Sequence, residues 1–235
     1  MAVSGAVLDR AELLDALAPR LPRVTALIGG GGKTTLLYAL GAHLAARGGA
    51  VVLTTTTHLG YDPAAVAPAG PEKLNRMLLP GRAVLAGYPD AAGRKLTGIP
   101  ENWYGGLEAD YILVEADGSR GLPLKYHRPF EPVVPAETGL LIELAGLTAL
   151  DRPAGAVLHG WQEAGLSPGR WLDEPLAAEL LERGLKASHF TERSLAVLNQ
   201  ADTPELAERG RRIGKLLAAR GIEAWVARMK ERELC

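Results

Sequence analysis

The sequence predicts an α/β fold in which helices cover a mostly parallel central sheet. Apolar runs of strand length alternate along the chain with segments of helical periodicity, which is the pattern of an α/β sandwich. A strand at 24–28, a helix at 33–47 and a strand at 50–53 form a first βαβ unit. Crossovers of this kind join parallel strands and are right-handed in nearly all proteins. With 235 residues, 47% of them hydrophobic, the chain is long enough to bury a large core.

Each further element is predicted from a local signal. Asp9 followed three residues later by Glu12 is a capping-box pattern, so the first helix begins there. Strands are expected at 83–85, 111–114, 139–144, 194–198 and 222–226, and helices at 72–79, 172–183 and 204–220. The stretch 63–71 is rich in Pro, Ala and Gly and is expected to be a loop. The stretch from about 145 to 190 lacks a strong strand signal and is expected to be a helical segment attached to one domain that spans residues 1–235.

Composition and charge exclude several classes of function. The 26 basic and 27 acidic residues give a formal net charge of −1, so neither nucleic acid nor a membrane is expected as a partner. Cys235 is the only cysteine, which excludes an intrachain disulfide and a cysteine-cluster zinc site. The five histidines have no HxH or HExxH spacing, so a histidine-rich metal site is not expected either. The start of the chain lacks the pattern of a secretory signal, and the apolar runs are shorter than the roughly 20 residues of a membrane span. A cytoplasmic protein is therefore expected.

The strongest chemical signal is a glycine loop between the first predicted strand and helix. It consists of Gly29, Gly30, Gly31, Gly32, Lys33, Thr34 and Thr35. Glycines let backbone amides turn toward a polyphosphate, and the following helix presents its positive end to it. Lys33 can reach the β- and γ-phosphates of a nucleotide, and Thr34 can bind Mg²⁺. The alternative is a flexible turn with a solvated Lys33.

The loop departs from the usual phosphate-binding pattern at its start. The pattern GxxxxGK[ST] requires a glycine where this chain has Leu27. What remains resembles the deviant phosphate loop of the signal-recognition and MinD-like NTPases, although that class often has lysine where Ile28 stands here. The predicted fold is thus a P-loop NTPase-like three-layer sandwich, and its expected ligands are ATP or GTP with Mg²⁺.

Two carboxylates follow the predicted central strand at 111–114. Glu115 and Asp117 would lie at the carboxyl edge of the sheet, where ligands bind in open α/β folds. If the extended backbone continues, both side chains point to the same side. We therefore expect one of them to bind Mg²⁺ together with Thr34, directly or through water. The alternative is that they only cap a turn, because Asp-Gly-Ser is ordinary turn chemistry.

Polar residues also follow two other predicted strands. The run from Thr54 to His58 could bind phosphate or an oxyanion, or its threonines could simply extend the strand, and the sequence leaves both roles open. Asn199 and Asp202 resemble the ends of the NKxD base-reading motif of GTPases, with Gln200 in place of lysine. Asp202 could accept hydrogen bonds from guanine, or it could be the N-cap of the helix that follows.

Several segments together resemble one protein family. They are IGGGGKTTLL, VVLTTTTH, ILVEADGSRGLPLK, EPVVP at 131–135 and VLNQAD, within roughly residues 20–205. This combination is similar to the YqeC family of selenium-dependent hydroxylase accessory proteins. The resemblance implies a role in maturation of a selenium-dependent molybdenum hydroxylase, with that hydroxylase or its cofactor as a partner.

The resemblance also transfers residues of the motifs. It implies that Lys33 and Thr34 contact a nucleotide. Five further residues are motif positions whose roles the resemblance does not assign, namely Glu115, Asp117, Ser119, Lys125 and Glu131. Lys125 could neutralise a phosphate or a substrate oxyanion, against the alternative of a surface lysine. The predicted catalytic residues are Lys33, Glu115, Asp117 and Lys125, whereas the role of His127 stays open.

The leading functional prediction is a magnesium-dependent NTPase or phosphotransferase, since phosphoryl transfer needs mainly positioning and neutralisation of charge. The alternatives are a nucleotide-gated chaperone for the hydroxylase or its cofactor and a nucleotide sensor without turnover.

Overall fold

A computed structural model describes residues 6–187 and 193–230 of the chain, so Cys235 lies outside the described residues. The strands are β1 (Val7–Asp9), β2 (Val24–Gly29), β3 (Ala50–Thr55), β4 (Leu59–Gly60), β5 (Arg82–Leu85), β6 (Gly87–Pro89), β7 (Lys95–Gly98), β8 (Tyr111–Glu115), β9 (Leu124–Lys125), β10 (Leu140–Gly146), β11 (Leu158–His159), β12 (Arg193–Asn199) and β13 (Ala224–Arg228). The helices are α1 (Arg10–Leu17), α2 (Lys33–Ala46), α3 (Pro71–Asn75), α4 (Ala154–Val157), α5 (Glu174–Ala187) and α6 (Pro204–Ala218).

Eight strands form one sheet in the order β1-β13-β12-β10-β2-β8-β3-β5, and every neighbouring pair is parallel. Helices flank this sheet, so the predicted α/β sandwich with a mostly parallel sheet is confirmed. All residues of β2, β3 and β10 are buried, as expected for parallel strands with both faces covered. Successive residues enter different clusters: Val51 and Leu53 pack with the leucines of α1 and α2, whereas Val52 packs on the opposite face.

Side-chain caps begin the first and the last helix. Asp9 accepts a hydrogen bond from the Glu12 amide at 2.9 Å, and the Glu12 carboxylate accepts one from the Asp9 amide at 2.9 Å, which completes the predicted capping box of α1. Thr203 rather than Asp202 is the N-cap of α6, because the Leu206 amide donates to the Thr203 hydroxyl. Within residues 6–187 and 193–230, no helix is long and apolar enough to cross a bilayer.

The structure corrects the expectation of a helical segment from about 145 to 190. Strand β10 extends to Gly146, and the next regular helix of more than four residues, α5, begins only at Glu174. Turns, the four-residue α4 and the two-residue β11 fill the space between them. Residues 188–190 lie outside the described part. The apolar residues before Glu174 are buried by tertiary contacts, so the absence of a strand signal did not mean a helix there, whereas the helix expected at 172–183 is present as α5.

A small antiparallel sheet was not predicted. Its strands, in the order β4-β7-β6, are two to four residues long and lie in the chain around β5. Strands of this length give no alternation that a sequence pattern can detect. This small sheet carries the segments at 57–60 and Lys95 to the edge where the glycine loop lies.

Candidate functional site

The glycine loop lies at the carboxyl edge of the sheet, between β2 and α2. Gly29, Gly31 and Gly32 have φ values of 91°, 70° and 126°, which glycine adopts more readily than any other residue. A Cβ atom on Gly31 would lie 2.3 Å from the Gly146 amide nitrogen. Backbone conformation and close packing therefore both require glycine at position 31.

The amides of the loop divide into two groups. In the first group, the Gly29 amide donates to Asp117 Oδ2 at 2.9 Å. The Gly30 amide donates to Leu144 O at 2.8 Å, and the Gly31 amide donates to Leu122 O at 3.2 Å. These bonds fix the loop against β10 and the segment after β8. The N-cap of α2 is Gly32, which supplies no side-chain cap. The first amides of α2 therefore lack an intrahelical partner and, at the positive end of the helix, favour binding of an anion.

A polar cavity of about 670 Å³ opens over the loop. The glycine loop and the polar chain segments that face it supply its lining, namely Gly31, Gly32, Lys33, Thr34, Thr35, Thr57, His58, Leu59, Gly60, Lys95, Glu115, Gly118, Ser119, Arg120, Gly121, Arg128, Glu131 and His159. This volume lies within the range of small-molecule sites, which is about 300–1,000 Å³. The cavity is large enough for more than a phosphate group.

Glu115 and Thr34 meet at the floor of this cavity. Glu115 ends β8, in register with Leu27 of β2 and Thr55 of β3, and its Oε2 accepts a hydrogen bond of 2.8 Å from Thr34 Oγ1. Burial raises the pKa of Glu115, although the charge of Lys33 and the bond from Thr34 act in the opposite direction. A carboxylate oxygen beside a hydroxyl is an oxygen pair that Mg²⁺ prefers.

No cluster of three or more His, Cys, Asp or Glu side chains in the described ranges could hold a metal ion without other ligands. A magnesium ion held by Thr34 and Glu115 would therefore need further oxygens from a bound phosphate or water, as is usual for this ion.

Asp117 is separated from the cavity, in contrast to Glu115. Its side chain is fully buried, and its Oδ2 lies 2.9 Å from the Gly29 amide and 2.7 Å from His127 Nε2. Burial acts to raise the pKa of Asp117. The charge of Lys33 and the hydrogen bond from His127 nevertheless hold this pKa well below its usual range. The expectation that Asp117 could bind Mg²⁺ is therefore corrected: this carboxylate anchors the glycine loop from below.

Lys33 is buried, and four protein oxygen atoms surround its ammonium group. Nζ donates to Gly29 O at 2.5 Å and lies 3.1 Å from Asp117 Oδ1, 3.9 Å from Glu115 Oε1 and 3.4 Å from Ser119 Oγ. Lys33 thus lies beside both carboxylates that follow the central strand. Lys33 lines the cavity but also packs, which the sequence did not indicate.

Lys125 is not a surface lysine. Its side chain is fully buried, and Nζ lies 2.8 Å from Gly118 O, 2.9 Å from Glu131 Oε2 and 3.6 Å from Asp117 Oδ2. Lys125 does not line the cavity, so it is not placed to contact a phosphate or a substrate directly as predicted. Its contacts are with Gly118 O and Glu131, and its role is structural. Its partner Glu131 does line the cavity, and there Lys125 neutralises it.

The segment that resembles a base-reading motif is partly used for structure. Asn199 Nδ2 donates to Gly31 O at 2.7 Å, and its Oδ1 accepts from the Met229 amide at 3.2 Å. Gln200 has a φ of 66° and accepts a hydrogen bond from Thr148. Asp202 is exposed, and neither Asn199 nor Asp202 lines the cavity. Asn199 therefore holds the glycine loop, and the base-reading role of Asn199 and Asp202 stays a prediction.

The threonine run is divided between strand β3 and the cavity. Thr54 and Thr55 are buried and complete β3, so for them the simple extension of the strand is confirmed. Thr57 and His58 line the cavity.

Sequence reasoning missed a buried pair beneath the loop. His127 Nδ1 lies 3.8 Å from Glu143 Oε1, and both side chains are buried. Burial and the charge of Asp117 raise the pKa of Glu143 well above its usual range. No spacing links these residues in the chain, so only the fold brings them together.

The parallel α/β sandwich has a glycine loop after a central strand, a helix without a side-chain cap behind that loop and a carboxylate from the neighbouring strand. This fold is that of a P-loop NTPase-like sandwich. Comparison with known proteins agrees with the family resemblance. The model of the YqeC protein family matches residues 25–162, which is more than half of the chain. The protein named "Uncharacterized protein YqeC" of Escherichia coli (strain K12) is 33% identical over 172 residues, which cover 67% of each chain. The chain belongs to the YqeC family.

Proposed function

We propose that this protein binds a nucleoside triphosphate and Mg²⁺ at the glycine loop and acts as an NTPase or phosphotransferase. The observation that carries the proposal is the 2.8 Å hydrogen bond between Thr34 Oγ1 and Glu115 Oε2, beside the free amides of α2. It supports the proposal because two oxygen atoms of the kind that bind Mg²⁺ lie next to the first amides of α2 in one cavity. The arrangement fits a magnesium-bound triphosphate.

Each group has a separate task in this proposal. The first amides of α2 bind the phosphates, and Thr34 and Glu115 hold the metal. When bound, Mg²⁺ would neutralise charge that develops on the phosphoryl group. Lys33 exchanges its hydrogen bond to Gly29 O for a phosphate oxygen, while Asp117 and Asn199 keep the loop in shape.

The process that this chemistry serves is proposed from the family resemblance. We propose maturation of a selenium-dependent molybdenum hydroxylase in the cytoplasm, with the hydroxylase or its cofactor as partner. The proposed nucleotide is ATP or GTP without a strong preference, because Asn199 contacts the glycine loop and the exposed Asp202 does not line the cavity.

The test is calorimetric titration of the purified protein with Mg²⁺ and non-hydrolysable analogues of ATP and GTP. We expect Lys33→Met and Thr34→Ala to weaken binding at least about tenfold, the effect of removing one charge-assisted contact. Thr34 is exposed, so its variant tests the site without disturbing the core. Lys73→Met, at an exposed position of α3, is the matched control. Absence of binding to either analogue, or equal binding by all variants, would refute the proposal.

Product analysis separates an enzyme from a nucleotide-gated chaperone. Nucleotide consumption that depends on a small-molecule acceptor supports phosphotransfer, and consumption by the protein alone supports an NTPase. Consumption that rises only when the hydroxylase is added supports the chaperone.

A further inference from the structure

The cavity over the glycine loop has a second set of basic side chains that nucleotide binding does not require. They are His58, Lys95, Arg120, Arg128 and His159, which we call the basic wall. They come from the residue before β4, from β7, from the loop after β8, from the loop after β9 and from β11, so separate chain segments converge there. The phosphate loop already has its own cation, Lys33. The basic wall is therefore an additional site of positive charge in the same cavity.

The acidic residues of the cavity do not cancel this charge. Glu115 and Glu131 are the carboxylates among the cavity-lining residues. Glu115 accepts a hydrogen bond from Thr34, and Glu131 is neutralised by the buried Lys125 at 2.9 Å. Burial, followed by the charges of Lys125, Arg120 and Arg128, lowers the pKa of His159. The cations Lys125, Arg120 and Arg128 thus act on His159, while Glu131 acts in the opposite direction.

Arg120 has the most specific position in the basic wall. It lies in the turn closed by the hydrogen bond from the Leu122 amide to Ser119 O, at 3.0 Å. Its φ of 52° is in the left-handed region, which is unfavourable for arginine and which Gly or Asn would adopt at lower cost. The backbone therefore gives no reason for an arginine here, and strain of this kind is concentrated at functional sites.

The turn that carries Arg120 is fixed relative to the phosphate loop. Leu122 O accepts the Gly31 amide at 3.2 Å, and Pro123 O accepts the Gly146 amide at 2.8 Å. The guanidinium of Arg120 is exposed and has no hydrogen bond or ion pair to any side chain within residues 6–187 and 193–230. Arg128, in contrast, pairs with Glu163 at 2.6 Å. Arg120 is thus a cation without a side-chain partner among the described residues, and it is carried by a turn whose backbone is fixed beside the phosphate loop.

We infer that the basic wall is a subsite for the oxyanion group, phosphate or carboxylate, of a small second substrate, and that Arg120 is its principal contact. The guanidinium has the planar fork that binds either group through two parallel hydrogen bonds. The inference rests on the proposed function and deepens it, since a bound acceptor beside the phosphate loop makes phosphotransfer the reaction. Arg128 and His159 complete the subsite.

The test titrates methyl phosphate, and separately succinate, into protein saturated with Mg²⁺ and the non-hydrolysable ATP analogue. We expect binding of at least one probe, and we expect Arg120→Gln to weaken it about tenfold or more while the affinity for the analogue stays unchanged. Arg128→Gln should have a smaller effect in the same direction. Arg76→Gln, at an exposed position that is not among the cavity-lining residues, is the matched control. The preferred probe shows whether the group is a phosphate or a carboxylate.

Three results would overturn the inference: binding of neither probe, equal binding by wild type and Arg120→Gln, or weaker binding of the ATP analogue by Arg120→Gln. The last would place Arg120 on the phosphates of the nucleotide. If the ATP analogue itself does not bind, the proposed function fails. The same titration of methyl phosphate and succinate without nucleotide then tests whether the oxyanion subsite exists. Loss of methyl phosphate binding in Arg120→Gln but not in Lys33→Met then supports the subsite, and any other pattern refutes it.

Discussion

Replacement of Glu115 by glutamine tests the proposed metal site without changing the rest of the glycine loop. The amide oxygen of glutamine can still accept the 2.8 Å hydrogen bond from Thr34, so shape and packing are retained and only the charge is lost. Because the pKa of Glu115 is raised in the folded protein, its ionised form is less stable there than in the unfolded chain. The substitution should therefore leave the free energy of unfolding equal or slightly higher.

The effect on turnover should be large. Loss of a carboxylate ligand from the metal weakens stabilisation of the transition state. We expect the rate to fall about a hundredfold, which corresponds to an increase of about 2.7 kcal/mol in the activation free energy. The assay is phosphate release at a series of Mg²⁺ concentrations, beside nucleotide binding measured without Mg²⁺. Turnover should fall and its Mg²⁺ requirement should rise, whereas binding without metal should change less than threefold.

Asp117→Asn is the contrasting variant. Its carboxylate faces the buried cations of Lys33 and Lys125, so loss of its charge should destabilise the fold by about 3 kcal/mol and weaken nucleotide binding even without metal. The reasoning is refuted if Glu115→Gln hydrolyses nucleotide at the wild-type rate with unchanged Mg²⁺ dependence. It is equally refuted if the two variants have the same profile, because the structure gives the two carboxylates different roles.

Three further predictions concern the base, a buried acid and a helix contact. Asp202→Ala should abolish a modest preference for GTP over ATP in competition binding, and a wild-type preference above about a thousandfold would show a full guanine-reading motif instead. Because burial and Asp117 raise the pKa of Glu143, the native state keeps that proton to higher pH than the unfolded chain, so the contribution of Glu143 to stability falls as the pH rises above about 4.3. Glu143→Gln should then be more stable relative to wild type at pH 8 than at pH 5 in urea unfolding, and an equal difference at both pH values would contradict this. Arg209→Met should lower the unfolding free energy by about 2 kcal/mol in thermal melts, since Arg209 Nε bonds Glu174 Oε1 at 3.0 Å between α6 and α5, and an unchanged melting temperature would assign no stability to this link.

The sequence determined the elements whose signals are local. Four glycines between an apolar run and a helical one define a strand, a loop and a helix, because no other residue adopts that backbone as readily. The same holds for the capping box at Asp9 and Glu12 and for the long apolar strands. Local signals failed where elements are short, as in β4, β6 and β7, and where apolar residues between Gly146 and Glu174 are buried by tertiary contacts without a period.

The sequence also placed Thr34, Lys33 and Glu115 in one site, because the carboxyl ends of neighbouring parallel strands meet at one edge. It could not distinguish Glu115 from Asp117. After β8 ends, the backbone no longer alternates regularly, so two residues of the same type separated by one position enter different environments: one faces the cavity, and the other lies under the loop with His127 and Lys125. Only the tertiary structure decided this, since burial and the distance to other charges depend on segments far apart in the chain.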